Sequence, residues 1–204
     1  MKKHRRSILS LGAVLLSSLL FAAYLTSLQV TPAEAGMADA VIYDENGNLI
    51  QPKDYVWRDW IYVGTPITPN DLNPPEAPFP EFHNVYIDPE AFKHYKKTGN
   101  FPQGTVLIKE LVSVGSKQAS SGKGYFQGDF IGLEAAVKDA KRFPDEPGNW
   151  VYFTFSHKAP PYPKTANRQP TAACNTACHQ ELAGDDWVFT QFYPVLRAAK
   201  GKGM

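Results

Sequence analysis

The only two cysteines of the chain lie in one short segment, Cys174-Asn175-Thr176-Ala177-Cys178, and His179 follows the second directly. Two thiols with an adjacent imidazole are the parts that hold a c-type haem: the thiols form thioethers and the histidine supplies an axial ligand to iron. The usual spacing puts two residues between the cysteines, and here there are three. A disulfide would suit an exported chain but leaves the histidine beside Cys178 without a purpose. A zinc site on Cys174, Cys178 and His179 would need a fourth ligand from His83, His94 or His157, none at a recognisable spacing. Two unrelated structural cysteines are the remaining alternative.

With a haem in place, the second axial position decides the class. Beyond residue 35 the methionines are Met37 and Met204, both at chain ends, which argues against the Met ligand common in electron carriers. Either His83, His94 or His157 closes the site, or it stays open for a small molecule. An open site means ligand binding or catalysis.

Two charged residues stand out in apolar strands. In Thr105–Val114 (T-V-L-I-K-E-L-V-S-V), Lys109 alternates with Leu107 and Leu111, and Glu110 with Val106, Ile108 and Val112. Whichever face is buried, one charge points inward. Lys109 is either on an edge strand with its ammonium reaching water, or aimed at a pocket and reactive. By the same alternation Glu134 shares a face with Phe126 and Phe130. A carboxyl among rings is expected to have a raised pKa, which suits a proton acceptor near neutral pH; a solvent-facing strand end is the alternative.

The elements that must position these residues follow from turn and periodicity signals. Residues 54–63 read as a short helix or the lead into a strand, and the proline-rich stretch 64–80 as an extended loop. Strands are expected at 82–87, 105–114, 125–137 and 150–156, with a hairpin connection at 115–124 and turn chemistry at 143–148. Asp88-Pro89 opens a helix that Gly99 closes. After proline-rich residues 159–170, helices are expected at 171–183 and 185–200, the second interrupted at Pro194. Strands in series followed by terminal helices give an α+β fold, mainly β, on an antiparallel sheet, with the Cys/His segment on a helix near the C-terminus.

The N-terminus carries an address. Lys2, Lys3, Arg5 and Arg6 precede an apolar run from Ile8 to Leu28, and Ala33-Glu34-Ala35 precedes Gly36. This pattern reads as a secretory signal over residues 1–35, leaving 36–204 as a single domain in an oxidising, extracytoplasmic compartment; an uncleaved anchor is the alternative. The 204-residue chain has 21 Lys+Arg against 20 Asp+Glu, and loss of the leader turns the balance slightly acidic. Nothing here favours a nucleic-acid partner. Two cysteines exclude a disulfide scaffold, and 13% aromatic residues exclude a disordered chain.

Across nearly the whole mature chain the sequence resembles the cytochrome P-460 family. The resemblance is carried by V-G-T (63–65), V-Y-I-D-P-E (85–90), G-T-V-L-I-K-E-L-V-S-V-G (104–115), G-Y-F-Q-G-D-F-I-G-L-E-A (124–135), E-P-G-N-W (146–150), the Cys/His segment and F-Y-P-V-L-R-A-A-K (192–200). It implies a periplasmic, homodimeric monohaem protein that oxidises hydroxylamine to nitrous oxide or nitrite and passes electrons to an acceptor cytochrome. It implies thioethers from Cys174 and Cys178, His179 as proximal iron ligand, and a bond from the Lys109 side-chain nitrogen to a porphyrin meso carbon. Glu134 matches a carboxylate over the open distal face. His83 stands where family members carry Arg, and is expected to orient substrate or relay a proton. Related haem proteins without the lysine bond bind nitric oxide or carbon monoxide and do no catalysis, which is the alternative function; Lys109 discriminates the two.

Overall fold

The β-branched run around Lys109 forms a strand at the centre of a five-stranded antiparallel sheet. In the computed structural model, which describes residues 41–201, the strands β1 (Ile61–Gly64), β2 (Phe82–Ile87), β3 (Val106–Val114), β4 (Gln127–Lys138) and β5 (Trp150–Ser156) lie side by side in chain order. The expected leader at 1–35 lies outside the described residues. Because β3 is third of five, Lys109 is not on an edge, and the edge-strand alternative falls away.

Both sheet faces are covered, so the alternation along β3 sends Lys109 and Glu110 into two different interiors. One face carries Val106, Ile108, Leu133, Ala135, Val151 and Phe153, packed by the segment around Leu49 and Trp57 and by Tyr162. Glu110 points into this side and is fully buried. It accepts Arg58 Nη2 at 2.6 Å and Nε at 3.2 Å, a two-pronged pairing that satisfies the carboxylate where water cannot. The other face carries Ile87, Leu107, Trp150 and Tyr152 under two helices and the segment leading to the C-terminus.

Helix α1 (Pro89–Thr98) starts and stops where the residues dictate. Asp88 accepts the Ala91 N–H at 2.8 Å, Pro89 sits at the first turn, and Gly99 closes the helix at φ 77°. The second Asp88 oxygen accepts the Val106 N–H at 2.9 Å and ties the helix to β3. Tyr95 and Ala91 are the buried positions, Tyr95 stacking on Phe101 at 4.3 Å between ring centroids. Helix α2 (Pro194–Ala199) begins at Pro194, where the sequence had suggested an interruption. Proline has no N–H to give but fits the first turn, so it opens the helix, and residues 185–193 are a bridge and a single 3₁₀ turn. Among the described residues no helix is long and apolar enough to cross a membrane.

One irregularity matters for the site. Leu111 pairs with Gly132 while Val112 pairs with Phe130, so Ile131 is an extra residue in β4, a β-bulge. A Cβ on Gly132 would stand 2.7 Å from Leu111 Cδ1 and 2.8 Å from the Ser156 carbonyl, so this close approach needs glycine. The bulge overturns the expected face-sharing of Glu134 with Phe130. Phe130 lies on the Glu110 side, with the Arg58 guanidinium 4.3 Å from its ring centre.

Candidate haem-binding site

Register alone brings the sequence-identified residues together. Ile87, Leu107, Ala136 and Tyr152 form one row across β2–β5; Val85, Lys109, Glu134 and Thr154 form the next; His83, Leu111 and Gly132 continue the third. Directly paired residues point to the same face, and rows two residues apart are roughly 7 Å apart. Lys109, Glu134 and His83 therefore share the face that the C-terminal segment covers.

That segment brings His179 to Tyr152. The imidazole lies 4.0 Å from the Tyr152 ring centre and 4.7 Å from that of Phe189. Its Nδ1 donates to the Trp187 carbonyl at 2.8 Å, and the same carbonyl accepts the Tyr152 hydroxyl at 3.1 Å. A carbonyl only accepts, so the proton is on Nδ1 and Nε2 carries a free lone pair. Burial above all, helped by the Lys109 charge and opposed by the Trp187 hydrogen bond, pushes the His179 pKa down to about 4. The ring is neutral at physiological pH. The Trp187 carbonyl is aimed by two consecutive left-handed residues, Asp186 (φ 43°) and Trp187 (φ 60°). Asp186 is anchored by Lys138 at 2.5 Å and by the Trp150 indole N–H at 3.3 Å. Gly148 lets the Trp187 ring come close, since a Cβ there would meet it at 2.4 Å.

The cysteines sit on a helix of unusual winding. Residues Ala172–Gln180 form a π-helix, with the Thr176 N–H bonded to the Thr171 carbonyl at 2.9 Å, five residues back. This accounts for the extra residue between them. On an α-helix, residues three apart are offset by about −60° and residues four apart by about +40°. A helix closed by i→i+5 bonds turns by roughly 80° per residue, so four residues are offset by about −40°. The wider winding absorbs one residue and turns Cys174 and Cys178 to nearly the side that a two-residue spacing gives on an α-helix. Asn175 pins the turn: it is 1% exposed, and its Nδ2 donates to the Pro147 carbonyl at 3.0 Å and the Trp150 carbonyl at 2.7 Å.

Opposite the histidine lies the charged row. Lys109 and Glu134 form an ion pair, and the second Glu134 oxygen meets His157 Nε2 at 3.1 Å. Burial is the strongest single influence on Glu134 and acts to raise its pKa. Lys109 and His157 together outweigh it, and the carboxyl ends below the ordinary glutamate value. The expected upward shift is thus reversed, because the sequence concealed both partners. The two halves of the site sense each other: Lys109 and Glu134 both act on Cys174 and on His179. Burial raises the Cys174 thiol pKa, with Glu134 adding to the effect.

A cavity of ≈ 200 Å³ adjoins this row, lined by Pro78, Phe79, Glu81, Leu111, Ile131 and His157. The bulge explains why Ile131 reaches it beside Leu111. His83 lies at its rim, its ring 6.3 Å from that of Phe79 and its Nε2 3.5 Å from Glu81 Oε1. The Glu81 carboxylate is the polar group nearest that nitrogen and ties the ring to the cavity wall. His94 is on α1 and stands apart from the site. His157 and Asn175 are the residues that sequence reasoning undervalued. For Asn175 a signal existed, an amide between the two cysteines in a segment otherwise suited to a helix.

These residues fit a c-type haem. Two free thiols, a neutral imidazole with a free nitrogen and aromatic walls are what the group requires. Cys174 and Cys178 are not joined to each other, which leaves both thiols available to a haem. Among the described residues no cluster of three or more His, Cys, Asp or Glu side chains is arranged to hold a metal ion by itself, which removes the support for zinc. No curated protein matches the chain. A family model described as Cytochrome P460 matches residues 52–190, a span that takes in Lys109, Glu134, His157, both cysteines and His179. The chain therefore belongs to the cytochrome P460 family, which implies a c-type haem protein.

Proposed function

We propose that this protein is a periplasmic monohaem cytochrome that oxidises hydroxylamine, with nitrous oxide or nitrite as product. The observation that carries the reading is the Lys109–Glu134 ion pair, set one row from the His179–Tyr152 stack and beside a small cavity. Cys174 and Cys178 hold the haem by thioethers and His179 Nε2 holds its iron. When bound, the haem would supply the redox-active iron that takes up electrons from hydroxylamine.

The chain's own residues do the rest. In the haem-free chain Lys109 and His157 keep Glu134 as a carboxylate, the form needed to accept a proton from substrate; with Lys109 bonded to the haem, His157 is the basic partner that keeps it so. His83, held beside the cavity by Glu81, orients the hydroxyl end of the substrate. Phe79, Leu111 and Ile131 give the cavity an apolar wall beside the reacting groups. Lys109 Nζ would be the group that bonds a porphyrin meso carbon, one N–H and one C–H being lost to a two-electron oxidant of the peroxide class, and the bond would tune the electronics of the haem.

The same reading takes residues 36–204 as one domain behind a cleaved leader, working as a homodimer with an acceptor cytochrome. The apolar lining of the cavity favours, as the second reading, a non-catalytic protein that binds nitric oxide or carbon monoxide. Glu134→Gln decides between them: it is expected to cut hydroxylamine turnover by about 10²–10⁴-fold with haem content unchanged. Undiminished turnover removes Glu134 from the chemistry.

A further inference from the structure

The Glu134 carboxylate has a partner on each side, and the two differ in where they lead. Lys109 lies inside the site, its side chain 29% exposed, whereas His157 is 61% exposed and opens to solvent. His157 follows directly on β5, and the β4–β5 register that pairs Glu134 with Thr154 carries it to the cavity wall. Its Nε2 stands 3.1 Å from Glu134 Oε1, within hydrogen-bond reach. The charged groups around it are Glu134 from β4, Lys109 from β3 beyond that carboxylate, Glu81 across the cavity and Lys158 next in the chain.

We propose that His157 is the proton exit of the site, the positioning and relay residue that holds Glu134 in place and returns it to the carboxylate form after each proton uptake. The inference rests on Glu134 being the proton acceptor. In the resting pair, Nε2–H donates to the carboxylate. When Glu134 takes a proton from substrate it becomes a neutral acid and no longer holds the ring. The exposed imidazole turns its unprotonated nitrogen to the acid, accepts the proton, and gives one to bulk water as imidazolium. Carboxylate and neutral imidazole are regenerated, and no electron moves in the relay. Without such an outlet the proton would stay in a pocket walled by Phe79, Leu111 and Ile131. Bonding of Lys109 to the porphyrin strengthens the case. Its nitrogen then becomes an aryl amine and ceases to be an ammonium, leaving His157 as the remaining basic contact of Glu134.

The test uses the haem-loaded protein and two variants. His157→Ala is expected to lower kcat by about tenfold in weak buffer, with KM unchanged. Raising the concentration of a bulky, non-ligating buffer such as MES, which can take the proton at the vacated exposed position, restores the rate. His157→Gln keeps a hydrogen bond but carries no proton, so it stays slow and is not rescued by strengthening the bond alone. Independently of turnover, the infrared carboxylate band that Glu134→Gln removes converts to the acid at higher pH in His157→Ala than in the wild type. Wild-type turnover of His157→Ala in weak buffer, a loss that concentrated MES does not restore, or an unmoved Glu134 band would each overturn the proposal. Failure of the underlying reading looks different: Glu134→Gln itself then turns over normally, whatever the infrared titration shows.

Discussion

Two ion pairs lie back to back across strand β3, and they do opposite work. Glu110 is fully buried and gripped in two places by Arg58, with apolar packing around it. Lys109, its chain neighbour, meets Glu134 on the other face, where both side chains stay partly exposed (29% and 18%) beside an open cavity. A closed pair of this kind holds the fold in register; an open one keeps reactive groups available. One-residue alternation along a strand is enough to place both charges on the same five-residue stretch.

Breaking each pair should therefore register in a different measurement. Arg58→Ala leaves the Glu110 carboxylate buried and alone, and should cost about 3 kcal/mol in denaturant unfolding while leaving the haem spectrum intact. Lys109→Leu should change stability by under about 1 kcal/mol, because its pair is partly solvated, yet abolish most of the proposed hydroxylamine oxidation and leave an ordinary c-type haem spectrum. Equal stability losses from the two would erase the distinction between the faces.

The proximal side sharpens the contrast through pH. His179 titrates near 4 in the folded, haem-free chain, against about 6.5 unfolded. Its folded-state pKa is depressed, so above pH 6.5 the ring is neutral in both states and costs nothing. As pH falls from 6.5 towards 4, the unfolded chain binds a proton that the folded chain refuses. Stability of the haem-free protein should fall across that window by up to about 3 kcal/mol. His179→Phe should flatten this part of the pH–stability curve. The smallest effect concerns the π-helix. Asn175→Ala removes the amide that bonds to the Pro147 and Trp150 carbonyls and should cost about 1–2 kcal/mol. The fraction of chains carrying both thioethers, read by mass, should fall in parallel.

How much of this was legible in the sequence depends on whether the cause was local. The strands, the Asp88 and Gly99 caps and the Cys/His segment follow from neighbouring residues, and all stand where expected. The opposite placement of Lys109 and Glu110 follows from alternation alone. What alternation could not show is that both faces are covered, because that depends on segments as distant as Trp57 and Leu196. The bulge at Ile131 shifts register by one residue, which is why Phe130 left the Glu134 face. The direction of the Glu134 pKa was misjudged for a similar reason. Its two partners lie 25 and 23 positions away, and only the strand register makes them neighbours. Pro194 carries both meanings, a break or a start, and the packing of Leu196 and Ala199 into the core selects the start.

The claim at the centre is that the open pair exists to bring Lys109 onto the porphyrin. The direct measurement is the absorption spectrum and intact mass of the matured wild-type protein, followed by tryptic mapping. The account predicts an anomalous, shifted haem spectrum, a mass two hydrogens below the thioether-only adduct, and the Lys109 peptide joined through haem to the Cys174–Cys178 peptide. An ordinary c-type spectrum with the Lys109 peptide released free would contradict it, and would leave the fold hosting a ligand-binding cytochrome.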